Sequence, residues 1–164
     1  MKGLVLFLAG LLCGLAVQTT MAQSDAAGTT GVVLNHVGIA VPSIPDAAAF
    51  YMQKLGFKEA FRNSDPQGNP TAIYLQISKT TFLELQQANA QRPAGISHFG
   101  LEAPNIKNSV ATYKTRGAMA TDPGAPSAFS HAILANVTDL NGLRIELAEM
   151  GPESLQRKAM DSWK

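Results

Sequence analysis

The stretch Asn35-His36-Val37-Gly38-Ile39 returns 62 residues later as Ser97-His98-Phe99-Gly100-Leu101. A second segment returns at the same spacing, since Leu83-Glu84-Leu85 is matched by Ile145-Glu146-Leu147. Each half of the chain therefore carries one histidine near its start and one glutamate near its end. The sequence has only three histidines, so two at equivalent positions favour a shared role over two unrelated packing roles.

The repeat divides residues 32–150 into two modules, residues 32–90 and 95–150. In the first module, alternating apolar residues predict strands, and a segment led by proline and ended by Gly56 predicts a helix. We expect the inner stripe of this helix to be Ala47, Phe50, Tyr51 and Leu55. The predicted strands cover residues 33–41, 57–61, 72–78 and 81–86. The first module is thus βαβββ.

The second module repeats this order. A strand is predicted over residues 96–103, a helix over 105–116, and a hairpin turned by Asn141-Gly142, a strong hairpin signal. Residues 118–130 are rich in Pro, Gly and Ala, and could hold a short strand and a substrate-facing loop or simply a connector. Residues 151–164 form a tail with a predicted helix that docks through Leu155 and Trp163.

Residues 1–22 are typical of a secretory signal peptide, with Lys2 before an apolar run and Ala22 at the expected cleavage site. The run is shorter than the roughly 18 residues of a spanning helix. We expect residues 23–31 to be a flexible lead-in, and the mature chain to be periplasmic or secreted. Cys13 is the only cysteine, so the mature chain would have neither a disulfide nor a thiol nucleophile.

Composition excludes some classes of function. An apolar fraction of 46% is enough for a globular core, and 15% charged residues argue against disorder. With Lys2 set aside, 12 basic residues face 12 acidic ones without clustering. Nucleic acid is therefore not an expected partner.

The two histidines and two glutamates predict a metal site. In a strand, the apolar neighbours of each glutamate point to the opposite face, toward the helices. Two duplicated sheets that curve toward each other would gather His36, Glu84, His98 and Glu146 around one cavity. Two imidazoles and two carboxylates suit one divalent metal ion such as Zn, Ni, Co, Mn or Fe.

Each of these residues also has a simpler reading. A lone strand histidine is usually hydrogen-bonded structure, and a glutamate between leucines can sit on a solvated sheet face. His131 has no histidine counterpart and is interpreted as a strand-edge residue. Tyr51 and Tyr113 are expected in the core. Arg62, Arg144 and Glu102 could reach the pocket, Arg144 by sharing a strand face with Glu146, but their expected role is solvent-exposed ion pairing.

These motifs resemble the vicinal oxygen chelate superfamily, which includes glyoxalase I, methylmalonyl-CoA epimerase, extradiol dioxygenases and bleomycin resistance proteins. The resemblance covers about residues 32–150 and is nearest to the four-ligand glyoxalase I and methylmalonyl-CoA epimerase-like branches. It implies an α+β fold of two tandem βαβββ modules, in one curved, open eight-stranded sheet with helices outside. The matching segments are residues 34–41, 50–57, 82–85, 97–101 and 141–147.

For function, the resemblance implies a metal held by His36, Glu84, His98 and Glu146. We expect a glyoxalase-like lyase or isomerase that moves a proton next to a carbonyl, through an enediolate or enolate held by the metal. Glu84 and Glu146 are the candidate catalytic bases, and the sequence does not say which one acts. The expected substrate is a small molecule with vicinal oxygens, and a homodimer is possible.

Two alternatives stay open at this point. One is an iron-dependent extradiol-type dioxygenase that uses His36, His98 and Glu146. The other is a non-catalytic protein that binds or sequesters a small molecule. Export also makes glutathione or coenzyme A substrates of the cytoplasmic relatives a poor expectation.

Overall fold

The computed structural model describes residues 30–164. The predicted signal peptide and residues 23–29 of the predicted lead-in lie outside the described residues. Within residues 30–164, no helix is both long and apolar enough to span a membrane.

The first module has the predicted βαβββ order. The side chain of Ser43 caps the first helix by accepting a hydrogen bond from the backbone N–H of Asp46. Gly56 ends that helix with a φ of 73°, a left-handed conformation that glycine adopts without strain. The elements are β1 (Val33–Val41), α1 (Ile44–Leu55), β2 (Lys58–Ser64), β3 (Pro70–Ser78) and β4 (Thr81–Gln87).

The second module repeats the order with a shorter third element. Asn105 caps its helix, and the Asn141-Gly142 step lies in the turn between its last two strands, as predicted. Only two residues of the segment 118–130 form a strand. The elements are β5 (Gly95–Glu102), α2 (Ile106–Thr115), β6 (Met119–Ala120), β7 (Ile133–Thr138) and β8 (Arg144–Glu149).

All eight strands belong to one open mixed sheet in the order β2-β3-β4-β1-β5-β8-β7-β6. Within each module the first strand lies parallel to the last, as β1 pairs with β4 and β5 with β8. The two first strands pair antiparallel at the centre and join the modules. The strand order is therefore related by an approximate twofold between the modules, which confirms the predicted fold class.

The two faces of the sheet have different coverings. The outer face packs against α1 and α2 in two apolar clusters, around Leu85 in the first module and Leu147 in the second. The predicted inner stripe of α1 is partly wrong. Ile44 and Ala48 are its buried residues, whereas Phe50 and Leu55 are more than half exposed.

The opposite face, which carries His36 and is called the inner face below, is partly covered by α3 (Leu155–Asp161). Ala159 and Met160 of α3 pack against Tyr74 and Phe82. Gln156, Ala159 and Met160 are the buried residues of this helix, and the predicted docking residues Leu155 and Trp163 are both partly buried. The fully buried amide of Gln156 has no hydrogen-bond partner among the described residues.

Candidate metal centre

The four predicted site residues lie together on the inner face, and all four are contributed by one chain. The two imidazole Nε2 atoms of His36 and His98 are 3.1 Å apart. An oxygen of Glu84 lies 3.0 Å from Nε2 of His98, and an oxygen of Glu146 lies 3.6 Å from Nε2 of His36. Both histidines are fully buried, and the two glutamates are at most 7% exposed.

The repeated glycine two residues after each histidine has a structural reason. Gly38 lies opposite His98 in the β1–β5 pair, and Gly100 lies opposite His36. A Cβ atom on Gly38 would overlap the imidazole of His98, and one on Gly100 would overlap that of His36. The glycine of each module has no side chain, and the histidine ring of the other module occupies the space that this leaves. The His-x-Gly repeat is required for the two rings to approach each other.

The residue before each histidine fixes which ring nitrogen carries the proton. The amide Nδ2 of Asn35 donates to the carbonyl of Thr80, so its Oδ1 is the atom that faces Nδ1 of His36, 3.1 Å away. An amide oxygen only accepts, so Nδ1 of His36 must be the donor. In a neutral ring, Nε2 then keeps its lone pair and points toward the other site residues.

In the second module, a longer chain of hydrogen bonds places the ring proton of His98 on Nδ1. The hydroxyl of Ser97 donates to Oε1 of Gln86 and lies 3.0 Å from Nδ1 of His98. Because its proton is used on Gln86, the hydroxyl accepts from His98 Nδ1–H. The amide of Gln86 in turn donates to Oε1 of Glu84 at 2.9 Å.

Each carboxylate is held by one oxygen and offers the other to the histidines. Gln86 binds Oε1 of Glu84, and Oε2 of Glu84 faces His98. In the second module, Nη1 of Arg144 donates to Oε2 of Glu146 at 2.7 Å, and Oε1 of Glu146 faces His36. Arg144 also donates to Oδ1 of Asn136 at 3.3 Å. Arg144 thus forms an ion pair, as expected, and it reaches the site through the strand face that it shares with Glu146.

Burial and charge give the site groups different proton affinities. Burial lowers the pKa of His36 from 6.5 to about 4, so its ring is neutral at neutral pH. Burial alone would raise the pKa of Glu84, but its contacts with His98, His36 and Gln86 outweigh burial and lower that pKa. Burial raises the pKa of Glu146 in spite of the Arg144 charge.

The donor set fits a divalent metal ion. Ligand atoms of His36, His98 and Glu146 all lie within 4.8 Å of one another. Ligands about 2.1 Å from a common ion lie about 3.0–3.4 Å apart when they are neighbours in octahedral or tetrahedral geometry. The separations of 3.1 and 3.0 Å match this range, and the 3.6 Å between Glu146 and His36 lies slightly above it. Two imidazole lone pairs and an oxygen of Glu146 face one another here, and a shared cation would satisfy these three groups. Oε2 of Glu84 lies 3.0 Å from Nε2 of His98 and 4.0 Å from Nε2 of His36, and Glu84 falls outside this three-residue group.

The other predicted residues lie away from this centre. His131 is exposed just before β7, with a φ of 58°, which agrees with the strand-edge interpretation. Tyr51 and Tyr113 pack in the outer clusters, as predicted. Arg62 pairs with Glu59, and Glu102 pairs with Arg157 of α3.

Three aromatic residues near the site were missed. Tyr74 is the cross-strand partner of Glu84, and its ring contacts His36 at a centroid distance of 5.4 Å. Phe61 and Phe129 pack on Tyr74. The alternation of β3 indicates that Tyr74 lies on the face of the site, since Tyr74 and Gln76 share one face of the strand. That signal is weak because Ile73 and Leu75 are equally apolar on the other face.

The fold and the repeated His/Glu framework place the chain in a known class. Residues 35–135 match the model of the glyoxalase/bleomycin resistance protein/dioxygenase superfamily, and the chain belongs to that superfamily. This confirms the resemblance to the vicinal oxygen chelate proteins.

Individual relatives narrow the comparison. An ethylmalonyl-CoA/methylmalonyl-CoA epimerase of Cereibacter sphaeroides is 28% identical over 130 residues, which are 71% of this chain and 97% of the relative. A hypothetical protein from Bacillus halodurans has a similar structure at 25% identity, with a TM-score of 0.62 over 76% of this chain and 98% of its own. Methylmalonyl-CoA epimerase from Mycobacterium tuberculosis shares the fold at 19% identity and a TM-score of 0.62, over 73% of this chain and 89% of its own.

Proposed function

We propose that this chain is an exported, metal-dependent enzyme of the glyoxalase-like lyase or isomerase type. Its reaction would move a proton on a carbon next to a carbonyl group. The observation that carries this proposal is the orientation of the two histidines: Nδ1 of each ring lies 3.1 or 3.0 Å from an oxygen of the preceding residue, and Nε2 of each ring faces a carboxylate. The similarity to an epimerase supports the isomerase type.

His36, Glu84, His98 and Glu146 are the residues that would hold the metal. When bound, a divalent ion would supply Lewis-acid stabilisation of negative charge on the substrate oxygens. The mature chain begins after the predicted signal peptide, so we propose a periplasmic or secreted location. N-terminal sequencing of protein recovered from its native host would find Gln23 first, whereas an intact Met1 would contradict export.

Glu84 and Glu146 are the groups that would accept and return the proton. They approach the two histidines from different modules, so a substrate between them would have one carboxylate on each side. Gln86 and Arg144 hold the second oxygen of each acid and thereby orient it. The burial of both histidines, with Tyr74 and Phe82 beside His36, would limit the access of water.

The proposed substrate is a small molecule with two neighbouring oxygens. A test is solvent deuterium incorporation at the carbon next to the carbonyl of α-hydroxy and α-keto compounds, followed by NMR with the metal-loaded mature protein. Glu84→Gln and Glu146→Gln should each slow exchange by about a hundredfold or more, since each removes a candidate base. Glu59→Gln is the matched control, because Glu59 also pairs with an arginine but lies away from the site.

Unchanged exchange in both site variants would contradict the proposed chemistry. Oxygen uptake with catechols by the iron-loaded protein, without exchange, would favour the dioxygenase alternative. Tight ligand binding that survives chelation, without turnover, would favour the binding protein. Size-exclusion chromatography tests the possible homodimer, although one chain already contributes all four site residues.

A further inference from the structure

The inner face differs in character on the two sides of the candidate metal centre. Outward from Glu84, the cross-strand neighbours are Tyr74 on β3 and then Phe61 on β2. Outward from Glu146, the neighbour on β7 is Asn136, and Arg144 lies two residues before Glu146 on the same strand face. A molecule bound at the centre would therefore meet aromatic rings on one side and a cation on the other.

Arg144 has capacity to bind more than Glu146. Its hydrogen bonds to described residues all come from Nη1, which donates to Glu146 and Asn136. Nε and Nη2 are left to donate, and the side chain is 39% exposed beside nearly buried Glu146. A guanidinium presents its donors as a planar fork that matches the two oxygens of a carboxylate. Arg144 is thus a half-open anion site next to the metal centre.

The aromatic side is built from three rings in mutual contact. Phe61 stacks on Tyr74 at a centroid distance of 4.6 Å, and Phe129 contacts both rings at 5.5 and 5.8 Å. Tyr74 is buried, whereas Phe61 and Phe129 are partly exposed. Phe129 belongs to the segment 118–130, so this loop does reach the inner face. Stacked or edge-on rings of this kind favour a flat apolar group.

We propose that the substrate is a small carboxylic acid with a carbonyl group and an apolar, preferably aromatic, substituent. Arg144 binds the carboxylate, and the Phe61–Tyr74–Phe129 cluster contacts the substituent. This inference rests on the proposed function for the position of the reacting carbon between the two glutamates. The binding pattern itself follows from the two unlike sides of the site.

Three probes that differ by one group each test the inference. 3-Phenyl-2-oxopropanoate carries the charge and the ring, its methyl ester lacks the charge, and pyruvate lacks the ring. Dissociation constants are measured by titration calorimetry on zinc-loaded protein, with zinc content determined for each variant. The wild type should bind the phenyl acid more tightly than either of the other two probes.

Arg144→Gln should weaken binding of the phenyl acid by about tenfold or more, because a hydrogen bond to a charged group is lost. It should weaken binding of the ester by less than about threefold. Arg62→Gln is the control, since Arg62 also pairs with a glutamate but its strand partner Ile73 packs under α1. If Arg144→Gln loses zinc, Arg144→Lys is measured instead, because lysine keeps a positive charge beside Glu146. Arg144→Lys should still weaken binding of the phenyl acid more than binding of the ester. Equal weakening of acid and ester would overturn the anion site.

Phe129→Leu should weaken binding of the phenyl acid by about threefold or more, since ring–ring contacts are worth about 0.5–1.5 kcal/mol. It should leave binding of pyruvate unchanged. Phe57→Leu is the control, because Phe57 stacks on Tyr51 in the outer cluster. Equal effects on both probes would overturn the aromatic site. Tighter binding of the phenyl acid without deuterium exchange would support the anion and aromatic sites and contradict the proposed function. Deuterium exchange without any preference among the three probes would support the proposed function and contradict the two sites.

Discussion

The two modules share a backbone plan but surround their ligands differently. In both, the residue before the histidine accepts its Nδ1 proton, and the glycine after it makes room for the opposite ring. Glu84, however, is held by the neutral amide of Gln86 and lies beside Tyr74, whereas Glu146 is held by the charged Arg144. The duplicated features are those that would place a metal. The features that differ are those that a substrate would contact.

The largest expected effect comes from breaking the shared geometry. Gly38→Ala and Gly100→Ala should each abolish metal binding and lower the free energy of unfolding by about 1–3 kcal/mol, because the new Cβ overlaps the imidazole of the other module. Metal content and urea unfolding measure both effects.

Gly124→Ala is the control for these variants, since a Cβ there meets no atom within 4 Å. If the modules are equivalent in this respect, the two site variants should behave alike. A metal-replete, fully stable Gly100→Ala protein would show that the close approach of the rings is not required.

An intermediate effect is expected from the residues that orient the rings. Asn35→Ala and Ser97→Ala should each weaken metal affinity by about 10–100-fold, as is typical when the outer nitrogen of a ligating histidine loses its partner. Asn35 should matter more, because it is fully buried and fixed by Thr80, whereas Ser97 is partly exposed. Competition with a fluorescent chelator measures the affinities, and Asn63→Ala on exposed β2 is the control. Unchanged affinity in both variants would sink this assignment of the protonated nitrogens.

The smallest effect separates the two carboxylates by pH. The pKa of Glu84 is lowered in the fold, so its contribution to stability is present above its unfolded pKa and is lost as pH falls. The pKa of Glu146 is raised, so its contribution is present at low pH and is lost as pH rises through the folded pKa. In metal-free protein, the stability differences from Glu84→Gln and Glu146→Gln should therefore change with pH in opposite directions. Urea unfolding between about pH 3.5 and 7 measures this, and parallel trends would contradict it.

Much of the fold follows from the sequence because the repeat supplies the same signals twice. Gly56 ends α1, and Asn141-Gly142 turns the last hairpin, so the local chemistry agrees with the tertiary structure. The four site residues could be proposed from their spacing alone, since strand period places each acid opposite its apolar neighbours.

The rest depends on packing that periodicity does not encode. Phe50 fits an apolar stripe, yet α1 meets the sheet along Ile44 and Ala48. The helix α3 buries the polar Gln156, which no apolar pattern would select as a docking residue. Arg144 and Glu146 are two residues apart on one strand, so their shared face is predictable. Their ion pair is not, because periodicity does not tell how deeply Glu146 is buried.

The most direct measurement of the central claim is the metal content of the mature protein after loading with a divalent ion and desalting. We expect one ion per chain in the wild type and in His131→Gln, since His131 is exposed and outside the site. We expect no retained ion in the His36→Gln, His98→Gln double variant. A folded wild type that holds no more metal than this double variant would show that His36 and His98 do not form a metal site.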